Sequence, residues 1–469
     1  MRLSFYSCSA ILLMLASSGL MAQTGMGMRG GPWEGIWGVA AQPASILICP
    51  DKLEVNVLLA GADVDNSYFH LGTGRLGLFG FSQRIKVDGA ETQLQGIGSP
   101  GRAITTDVRI LLPSFSMRIG QRNAIAFTNA ARSSLSATGL DVLARQFGMD
   151  TIELSTGRTR QLDALRARLA TMGWTEHGIT FGHTFGLGAH GRLHLAATAK
   201  VAVGIMGGSL AVDPATLTGL NDSTTLVSNI NADLSYASPP WPVLKRGMAG
   251  LLHGTGWNGD LGVAYTLFGP DSATGGAARL SVGMALTDLG AMRFNKNAEA
   301  HRVRNGSATM GELTSFGIDS LQQLGPALSG MLLGDPGASL AGRAFSIQMP
   351  MAAHLSAEYR FARRWVLRTE LAVGLRQAPR AVAVRDVLAV VPRFESRLVS
   401  VALPLSADRV GRFAAGLMVR VGGFAIGSDR IGGLFGLTEV AGADIYFGAK
   451  VRIRGKADGK GAHAPSPST

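Results

Sequence analysis

The last third of the chain is built from segments in which apolar and charged residues alternate one by one. In the segment 351–361 the two alternating sets are Leu355, Ala357, Tyr359 and Phe361 against His354, Ser356, Glu358 and Arg360. The segments 365–373, 412–421 and 444–454 repeat the pattern. Side chains of a β-strand alternate between two faces, so each segment predicts a strand with one apolar face and one charged face. A soluble β-sandwich would show the same alternation, so the cellular compartment has to decide between the two folds.

The first 22 residues predict export. Arg2 gives a positive start, 10–15 is an apolar core, and the run ends in the small residue Ala22. This is the pattern of a secretory signal peptide cleaved after Ala22. Cys8 would leave with the signal, and the mature chain would keep only Cys49, so no intramolecular disulfide is expected.

The composition favours a membrane barrel. The chain is 46% hydrophobic, has 63 glycines and is only 16% charged. After the signal, no apolar run approaches the roughly 18 residues of a membrane-spanning helix. A sheet that crosses a membrane must close, because an unpaired backbone edge cannot face lipid. We therefore predict an all-β fold, an antiparallel transmembrane β-barrel of about fourteen strands with short helices in its long loops.

This prediction divides the chain into four parts. Residues 1–22 are the signal peptide, 23–52 are an N-terminal segment that could form a short plug, 53–454 are the barrel, and 455–469 are a disordered tail. Within the N-terminal segment, 23–42 are Gly- and Met-rich and are predicted to be poorly ordered. The candidate strands are 53–60, 66–80, 107–120, 123–136, 174–187, 191–205, 223–237, 258–268, 278–294, 350–361, 365–376, 393–405, 410–427 and 442–454.

The connections are of two kinds. Short turns are predicted near 121–122, 188–190, 270–276, 362–364 and 406–409, and the last three of these should share the periplasmic end. The first two fall at the other end, so either a further strand lies near 209–212 or the segment 53–80 is miscounted. Helical spacing occurs in 140–147, 160–172 and 316–333, and the last helix would either cap the barrel mouth or fold onto its own loop.

The net charge of +12 would suit nucleic acid, anionic lipid or an anionic ligand, and export argues against nucleic acid. Many charged residues fall on the inward strand face, which predicts a basic lumen or a ladder of ion pairs that only fills the interior. We assign nine residues to lumen electrostatics: Arg192, Lys200, Glu358, Arg360, Arg368, Glu370, Arg420, Lys450 and Arg452.

Facing rules constrain two possible sites. A three-residue turn at 362–364 would set Glu358 opposite Arg368, which predicts a hydrogen-bonded structural pair. His194 is predicted to point inward and His183 outward, and this argues against a metal site in that hairpin. Motifs of nucleophilic, nucleotide-binding and zinc enzymes are absent from the sequence, so we predict no catalytic residue, no metal and no cofactor.

Several strand sequences resemble a known group of proteins. The hairpin residues 113–120, 123–128 and 131–132, the segments 392–395 and 403–405, and the last strand at 442–448 are similar to outer-membrane barrels of the Bacteroidota whose function is unknown and which resemble FadL and PorV. Gln42-Pro43-Ala44 looks like the Asn-Pro-Ala near the start of that group, with Gln in place of Asn. The resemblance covers about 42–454 and implies a FadL-like barrel of about fourteen strands in the outer membrane.

Sequence and resemblance together predict a non-enzymatic barrel in the bacterial outer membrane. Its expected role is the passage or binding of small hydrophobic or anionic molecules. The alternative is a structural or secretion-associated, PorV-like barrel with no transport path. Expected partners are outer-membrane lipid, the barrel-assembly machinery, a small ligand and, under the alternative, a secretion partner, with no nucleic acid.

Overall fold

The alternating segments pair edge to edge into a closed antiparallel β-barrel of fourteen wall-spanning strands. Each of these is called a crossing below, and some crossings are interrupted and consist of two consecutive strands. The structure is a computed structural model that describes residues 25–66, 69–71, 92–94, 103–139, 157–162, 166–221, 224–238, 252–269, 278–317, 321–376, 380–409, 411–432 and 442–454. The signal peptide, the C-terminal tail and the segment 140–147 lie outside these residues.

The first fourteen strands are β1 (Leu53–Asn66), β2 (Phe69–Leu71), β3 (Thr92–Leu94), β4 (Ala103–Leu111), β5 (Ser114–Ile119), β6 (Asn123–Thr138), β7 (Thr159–Leu162), β8 (Arg168–Leu187), β9 (Gly191–Val212), β10 (Ala215–Asn221), β11 (Thr224–Ala237), β12 (Gly254–Leu267), β13 (Leu280–Phe294) and β14 (Ala298–Thr309). The remaining strands are β15 (Leu340–Gly342), β16 (Phe345–Gln348), β17 (Ala352–Ala362), β18 (Trp365–Gly374), β19 (Val387–Glu395), β20 (Val399–Ala402), β21 (Leu405–Asp408), β22 (Phe413–Ala415), β23 (Leu417–Val421), β24 (Phe424–Ser428) and β25 (Gly442–Ile453).

The wall closes where β1 pairs with β25, with Leu53 opposite Ile453. Around the barrel the crossings are β1, β4 with β5, β6, β8, β9, β12, β13, β16 with β17, β18, β19, β20 with β21, β22 with β23, β24 and β25. Short turns at 120–122, 188–190, 363–364, 396–398 and 422–423 share one end, which we call the turn end. Gly120, Gly188 and Gly422 have positive φ in these turns, a conformation that glycine adopts without strain. The opposite end is the loop end.

The number of crossings, fourteen, agrees with the prediction. Several individual strands were predicted wrongly, and these errors cancel in the total. The segment 53–66 is one strand, and most of 66–80 lies outside the described residues. The segments 393–405 and 410–427 were each predicted as one strand. Each contains a short turn at the turn end, so each contributes to two crossings. With these corrections the predicted turns 121–122, 188–190 and 362–364 share the turn end, which removes the conflict in the N-terminal half. The predicted turn 406–409 lies at the other end, where it leads into a connection at the loop end, and 270–276 lies outside the described residues.

The outer surface of the wall is apolar and the inner surface is polar, as the alternation predicts. Along β17, Leu355, Tyr359 and Phe361 are exposed, whereas His354 and Glu358 are buried. Exposed apolar residues continue around the barrel and include Phe181, Trp257, Leu261, Met284, Leu388, Phe424, Ile426 and Val451. Within the described ranges, no α-helix combines the length and hydropathy needed to span a membrane.

A branch of the same sheet extends the wall at the loop end. It has the order β7-β10-β11-β14-β15. It joins the barrel where β11 pairs with residues 207–212 of β9, the part of that strand nearest the loop end. The segment 223–237 is therefore a strand, as predicted, but it lies in this extension. The predicted helix 160–172 is wrong, because β7 and β8 occupy most of its described residues.

Two helices cover the extension. They are α2 (Met310–Ser315) and α3 (Leu321–Leu333), which contains Pro326. Leu332 of α3 is buried with Leu217, Ile230 and Val303. The helix predicted at 316–333 therefore folds onto the sheet of its own loop.

Residues 25–52 run through the lumen and are called the N-terminal segment below. The described part is ordered by the wall, contrary to the prediction of poor order for 23–42, and contains two 3₁₀ helices (Met26–Met28 and Gly35–Trp37) and helix α1 (Ser45–Ile48). Asp429 accepts hydrogen bonds from the backbone at Gly25 and Met26 at 2.9 Å. Across the barrel, the Gln42 side-chain amide donates to backbone carbonyls of β12 and β13 at 3.1 and 3.3 Å.

Candidate functional site at the turn end of the barrel

A cavity of about 1280 Å³ opens between the N-terminal segment and the turn end, and we call it the turn-end chamber. The N-terminal segment supplies its roof, including Trp33, Leu47 and Ile48. The wall supplies most of its charge. Its cationic lining residues are Lys52, Arg118, Arg122, Arg192, Arg360, Arg368, Arg452 and Arg454, against the acidic residues Glu34, Asp51 and Glu358.

Four of these cations have no carboxylate partner within the described residues, and all come from one side of the chamber. They are Lys52, Arg118, Arg122 and Arg192. Arg118 donates to the backbone carbonyls of Leu47 and Cys49 at 3.0 and 2.9 Å, which ties it to the roof.

An apolar surface adjoins these cations. The Arg192 guanidinium carbon lies 4.5 Å from the centre of the Phe268 ring. Leu47, Ile48 and Ala264 also line the cavity. The chamber therefore offers positive charge beside an apolar surface, which suits a small anion with an apolar portion.

The opposite side of the chamber is a ladder of ion pairs from three strands. Arg360 reaches Glu395 at 2.5 Å, and Arg393 reaches both Glu395 and Glu358 at 2.8 Å. Glu370 binds both Arg29 of the N-terminal segment and Arg368, the latter at 3.1 Å. Opposite charges here compensate one another, as a buried ion-pair network requires.

The predicted Glu358–Arg368 pair is present in the predicted register as an ion pair, but the two side chains are not hydrogen-bonded. Glu358 lies opposite Arg368, and Ser356 lies opposite Glu370. The turn is one residue shorter than predicted, and a register shift between Arg360 and Ala362 compensates for it. The carboxylate and guanidinium are 3.9 Å apart, beyond hydrogen-bond reach. Arg393 on β19 takes Glu358 instead, because its guanidinium comes closer.

Trp33 is held between two arginines at the edge of the chamber. The guanidinium carbons of Arg420 and Arg452 lie 3.5 and 3.4 Å from the centre of its ring. Lys450 sits beside this stack and binds Glu54 at 2.6 Å and the Trp33 carbonyl at 2.5 Å. These contacts fix the N-terminal segment against β23 and β25.

Lys200 lies farther from the chamber, in a buried charge cluster of the wall. Its ammonium reaches Asp260 at 2.7 Å and Asp288 at 2.9 Å. Arg132 binds Asp288 at 2.9 Å and Glu176 at 3.3 Å. The cluster lies where the register between β12 and β13 shifts, and its charges are mutually paired.

The nine residues assigned to lumen electrostatics therefore divide into two groups. Arg192, Glu358, Arg360, Arg368 and Arg452 line the chamber. The other four are buried in contacts with the N-terminal segment or the wall: Lys200, Glu370, Arg420 and Lys450.

Glu34 is the one carboxylate of the N-terminal segment that faces both the chamber and a smaller cavity of about 80 Å³ beyond it. Its side chain is 5% exposed, and its Oε1 has no hydrogen-bond partner. Burial raises the pKa of Glu34 above the ordinary value of a glutamate, and the nearby Arg368 opposes that rise.

Cys49, Asp51 and Glu54 place their thiol and carboxylate atoms within 4.8 Å of one another. Both carboxylates already have protein partners, Glu54 with Lys450 and Asp51 with Arg452 at 3.4 Å. Burial also raises the pKa of the Cys49 thiol well above its ordinary value, which disfavours the thiolate that a metal would need. Protein contacts therefore account for this cluster.

The two histidines lie on different faces of their hairpin, as predicted. Thr184 is opposite His194, and Leu195 is opposite His183. His194 is buried and hydrogen-bonds Thr184 and Thr266 at 2.9 Å each.

Several charged residues of the lumen were not predicted from the sequence. Arg118 and Arg122 were overlooked because they stand at a strand end and in a turn, where alternation gives no signal. Arg393 and Glu395 alternate along β19 and could have been found by the same face test. Arg29 carries no periodic signal, since its place depends on how the N-terminal segment enters the barrel.

Comparison with known proteins gives similar structures but no curated relative. No curated protein matches the chain. Among solved structures, the TodX deltaS2S3 mutant monoaromatic hydrocarbon channel matches at 10% identity over 94% of this chain and 98% of that one, with a TM-score of 0.39. The toluene transporter TodX of Pseudomonas putida matches at 9% identity over 89% and 92%, with a TM-score of 0.32. The translocator domain of the autotransporter NalP from Neisseria meningitidis matches at 9% identity over 85% and 88%, with a TM-score of 0.29. Nothing about the function of this chain follows from these values.

A sequence family gives the firmer assignment. The pattern of a family of unknown function, DUF5723, matches residues 52–429. The match is well over half of the chain and runs from the start of β1 past the end of β24, so it covers every strand of the wall except β25. The protein is therefore a member of the DUF5723 family.

Proposed function

We propose that this protein is a non-enzymatic outer-membrane barrel that binds small anionic molecules with an apolar portion in the turn-end chamber. The observation that carries the proposal is the cluster of Lys52, Arg118, Arg122 and Arg192 beside Phe268, in a cavity of about 1280 Å³. These cations are not neutralised by a carboxylate of the described residues, whereas the rest of the lumen is largely ion-paired. A ligand carboxylate would supply the missing charge.

Binding of benzoate to the purified full-length protein tests this proposal, with benzamide as the neutral analogue of the same shape. Benzoate should bind and benzamide should not, by isothermal titration calorimetry in detergent. The variant Arg118→Gln/Arg192→Gln should weaken benzoate binding by about tenfold or more, since each charge-assisted hydrogen bond contributes roughly 1.5–3 kcal/mol.

The matched control removes two arginines far from the chamber. Arg302 and Arg304 lie in the loop-end extension, where both contact Asp233. The variant Arg302→Gln/Arg304→Gln should bind benzoate like the wild type. Equal binding of benzoate and benzamide, or unchanged binding in the chamber variant, would contradict the proposal.

A second candidate is a structural or secretion-associated barrel with no transport path, favoured by the N-terminal segment that fills the middle of the lumen. Planar bilayers separate the candidates. Anion-selective conductance supports passage through the lumen, and benzoate binding without conductance supports a binding barrel. Absence of both conductance and benzoate binding supports the second candidate.

A further inference from the structure

Eight exposed cations surround the turn end of the barrel. They are Lys52, Arg122, Arg192, Arg279, Arg363, Arg364, Arg397 and Arg454. The carboxylates described at this end, Asp51 and Glu395, are buried at 4% and 7% exposure. Among the residues that the structure describes, this end therefore presents cations to its surroundings and no exposed carboxylate.

The eight cations form two groups with different surroundings. Lys52, Arg122, Arg192 and Arg454 line the turn-end chamber and face the axis of the barrel. The other four do not line the chamber, and we call them the outer rim: Arg279, Arg363, Arg364 and Arg397. None of the four pairs with a carboxylate in the described part of the chain.

The outer rim lies directly beside lipid-facing apolar residues. Arg363 and Arg364 form the turn between Phe361 and Trp365, which are 57% and 48% exposed on the outer surface. Arg397 precedes Leu398, which is 66% exposed.

Arg279 also lies beside an outward-facing aromatic residue, Tyr359, which it contacts directly. Its Nη2 donates to the hydroxyl of Tyr359 at 3.4 Å, and its guanidinium carbon lies 5.9 Å from the centre of that ring. Tyr359 belongs to the outward face of β17. Arg279 therefore extends along the outside of the wall, at the level where the apolar band ends.

We propose that the outer rim binds the phosphate headgroups of anionic phospholipids in the leaflet around the turn end. Exposed aromatic residues mark the boundary between hydrocarbon and headgroups, and the rim cations sit at that boundary. Basic residues at a membrane surface attract anionic headgroups. A soluble acidic partner approaching along the barrel axis would meet the chamber cations first, so the circumferential position of the rim favours lipid.

The experiment compares quenching of Trp365 by brominated phosphatidylglycerol and by brominated phosphatidylcholine in vesicles that contain both lipids. The full-length protein is reconstituted, and the difference between the wild type and Trp365→Phe isolates the signal of Trp365. Trp257, 73% exposed and nearer the loop end of the wall, provides a second reporter through Trp257→Phe. Trp365 should be quenched preferentially by the anionic lipid at low salt, and Trp257 should show a weaker preference.

The variant Arg363→Gln/Arg364→Gln should lower the anionic preference at Trp365 by about fivefold for each arginine removed. The control Arg302→Gln/Arg304→Gln removes the same amount of charge from the loop-end extension. It should leave the anionic preference at Trp365 unchanged. Heat-dependent gel migration of each variant verifies that the barrel is folded. Benzoate binding should be the same in the rim variant and the wild type, which separates this proposal from the function of the chamber.

Three results would overturn the lipid assignment. The first is equal quenching of wild-type Trp365 by the two lipids. The second is an anionic preference at Trp365 that is unchanged in Arg363→Gln/Arg364→Gln, or that falls by the same factor in Arg302→Gln/Arg304→Gln. The third is rim-dependent binding to isolated peptidoglycan without a lipid preference, which would assign the rim to an acidic polymer.

Discussion

Single residues show which side-chain properties are local and which are not. The direction of each side chain along β17 and β18 follows from alternation, so Glu358 and Arg368 are both inward. The choice of ion-pair partner is not local. Arg393 of β19 approaches Glu358 to 2.8 Å and displaces Arg368, which bonds Glu370 on its own strand. The choice of partner depends on the position of β19, which cannot be inferred from the hairpin of β17 and β18 alone.

Glu34 gives a prediction about pH. Its pKa in the folded protein is raised, so the folded state holds this proton more tightly than the unfolded state. The stabilising contribution is complete below the ordinary pKa of a glutamate and is lost as the pH rises through the folded-state pKa. Glu34→Gln should therefore make the protein more stable at pH 8 by about 1–3 kcal/mol, the cost of a buried unsatisfied polar group, with little change at pH 4.

Urea unfolding in detergent at both pH values measures this effect. The control Asp335→Asn changes an exposed carboxylate of the loop end. It should shift stability by less than about 0.5 kcal/mol at either pH. If Glu34→Gln gained no stability relative to the wild type between pH 4 and pH 8, burial would not be what raises the pKa of Glu34.

At the scale of elements, strand existence was predictable and strand boundaries were not. The segment 393–405 was predicted as one strand because 396–398 has no glycine, proline or asparagine to mark its turn. The side chain of Ser396 forms that turn by accepting from the backbone of Val399 at 3.0 Å. The helical spacing of 160–172 was misleading, because pairing with β6 and β9 makes 168–172 part of a long strand.

The helix of the loop-end extension gives a prediction about packing. Leu332→Ala would leave a cavity against Leu217, Ile230 and Val303 and should destabilise the docking of α3 by about 2–5 kcal/mol. Hydrogen–deuterium exchange of residues 321–333 should accelerate, while exchange of the barrel wall stays unchanged. Leu340→Ala, at a side chain that is 42% exposed, is the control and should have little effect. Equal acceleration in both variants would show that the cluster does not hold α3.

At the scale of the whole molecule, the N-terminal segment separates the two ends of the lumen. It contacts β1, β12, β13, β18, β19 and β25, which lie on different sides of the barrel. Buried polar groups of the wall thereby gain partners that water or a ligand would otherwise supply. The chamber lies on one side of the segment, and the small cavity beyond Glu34 lies next to it within the described residues.

Displacing the segment should open the lumen. Gly35 has a φ of 44°, and a methyl group there would overlap the Glu54 carboxylate that accepts from the backbone of Ile36 at 2.8 Å. Gly35→Ala should therefore loosen the segment and raise single-channel conductance severalfold over the wild type in planar bilayers, with anion selectivity. Gly120→Ala is the matched control, since Gly120 also has a positive φ but has open space at the added methyl group. Equal conductance of the two variants would show that the segment does not obstruct the lumen.

The sequence by itself determined the class of fold and the inward and outward faces of the strands. These follow from a period of two along each strand, which is a property of neighbouring residues. Only the tertiary structure decided where crossings end, that β11 and β14 leave the wall, which carboxylate each arginine binds, and that residues 25–52 enter the lumen. Those outcomes depend on register and on contacts between residues hundreds of positions apart, such as Met26 with Asp429, and no local pattern records them.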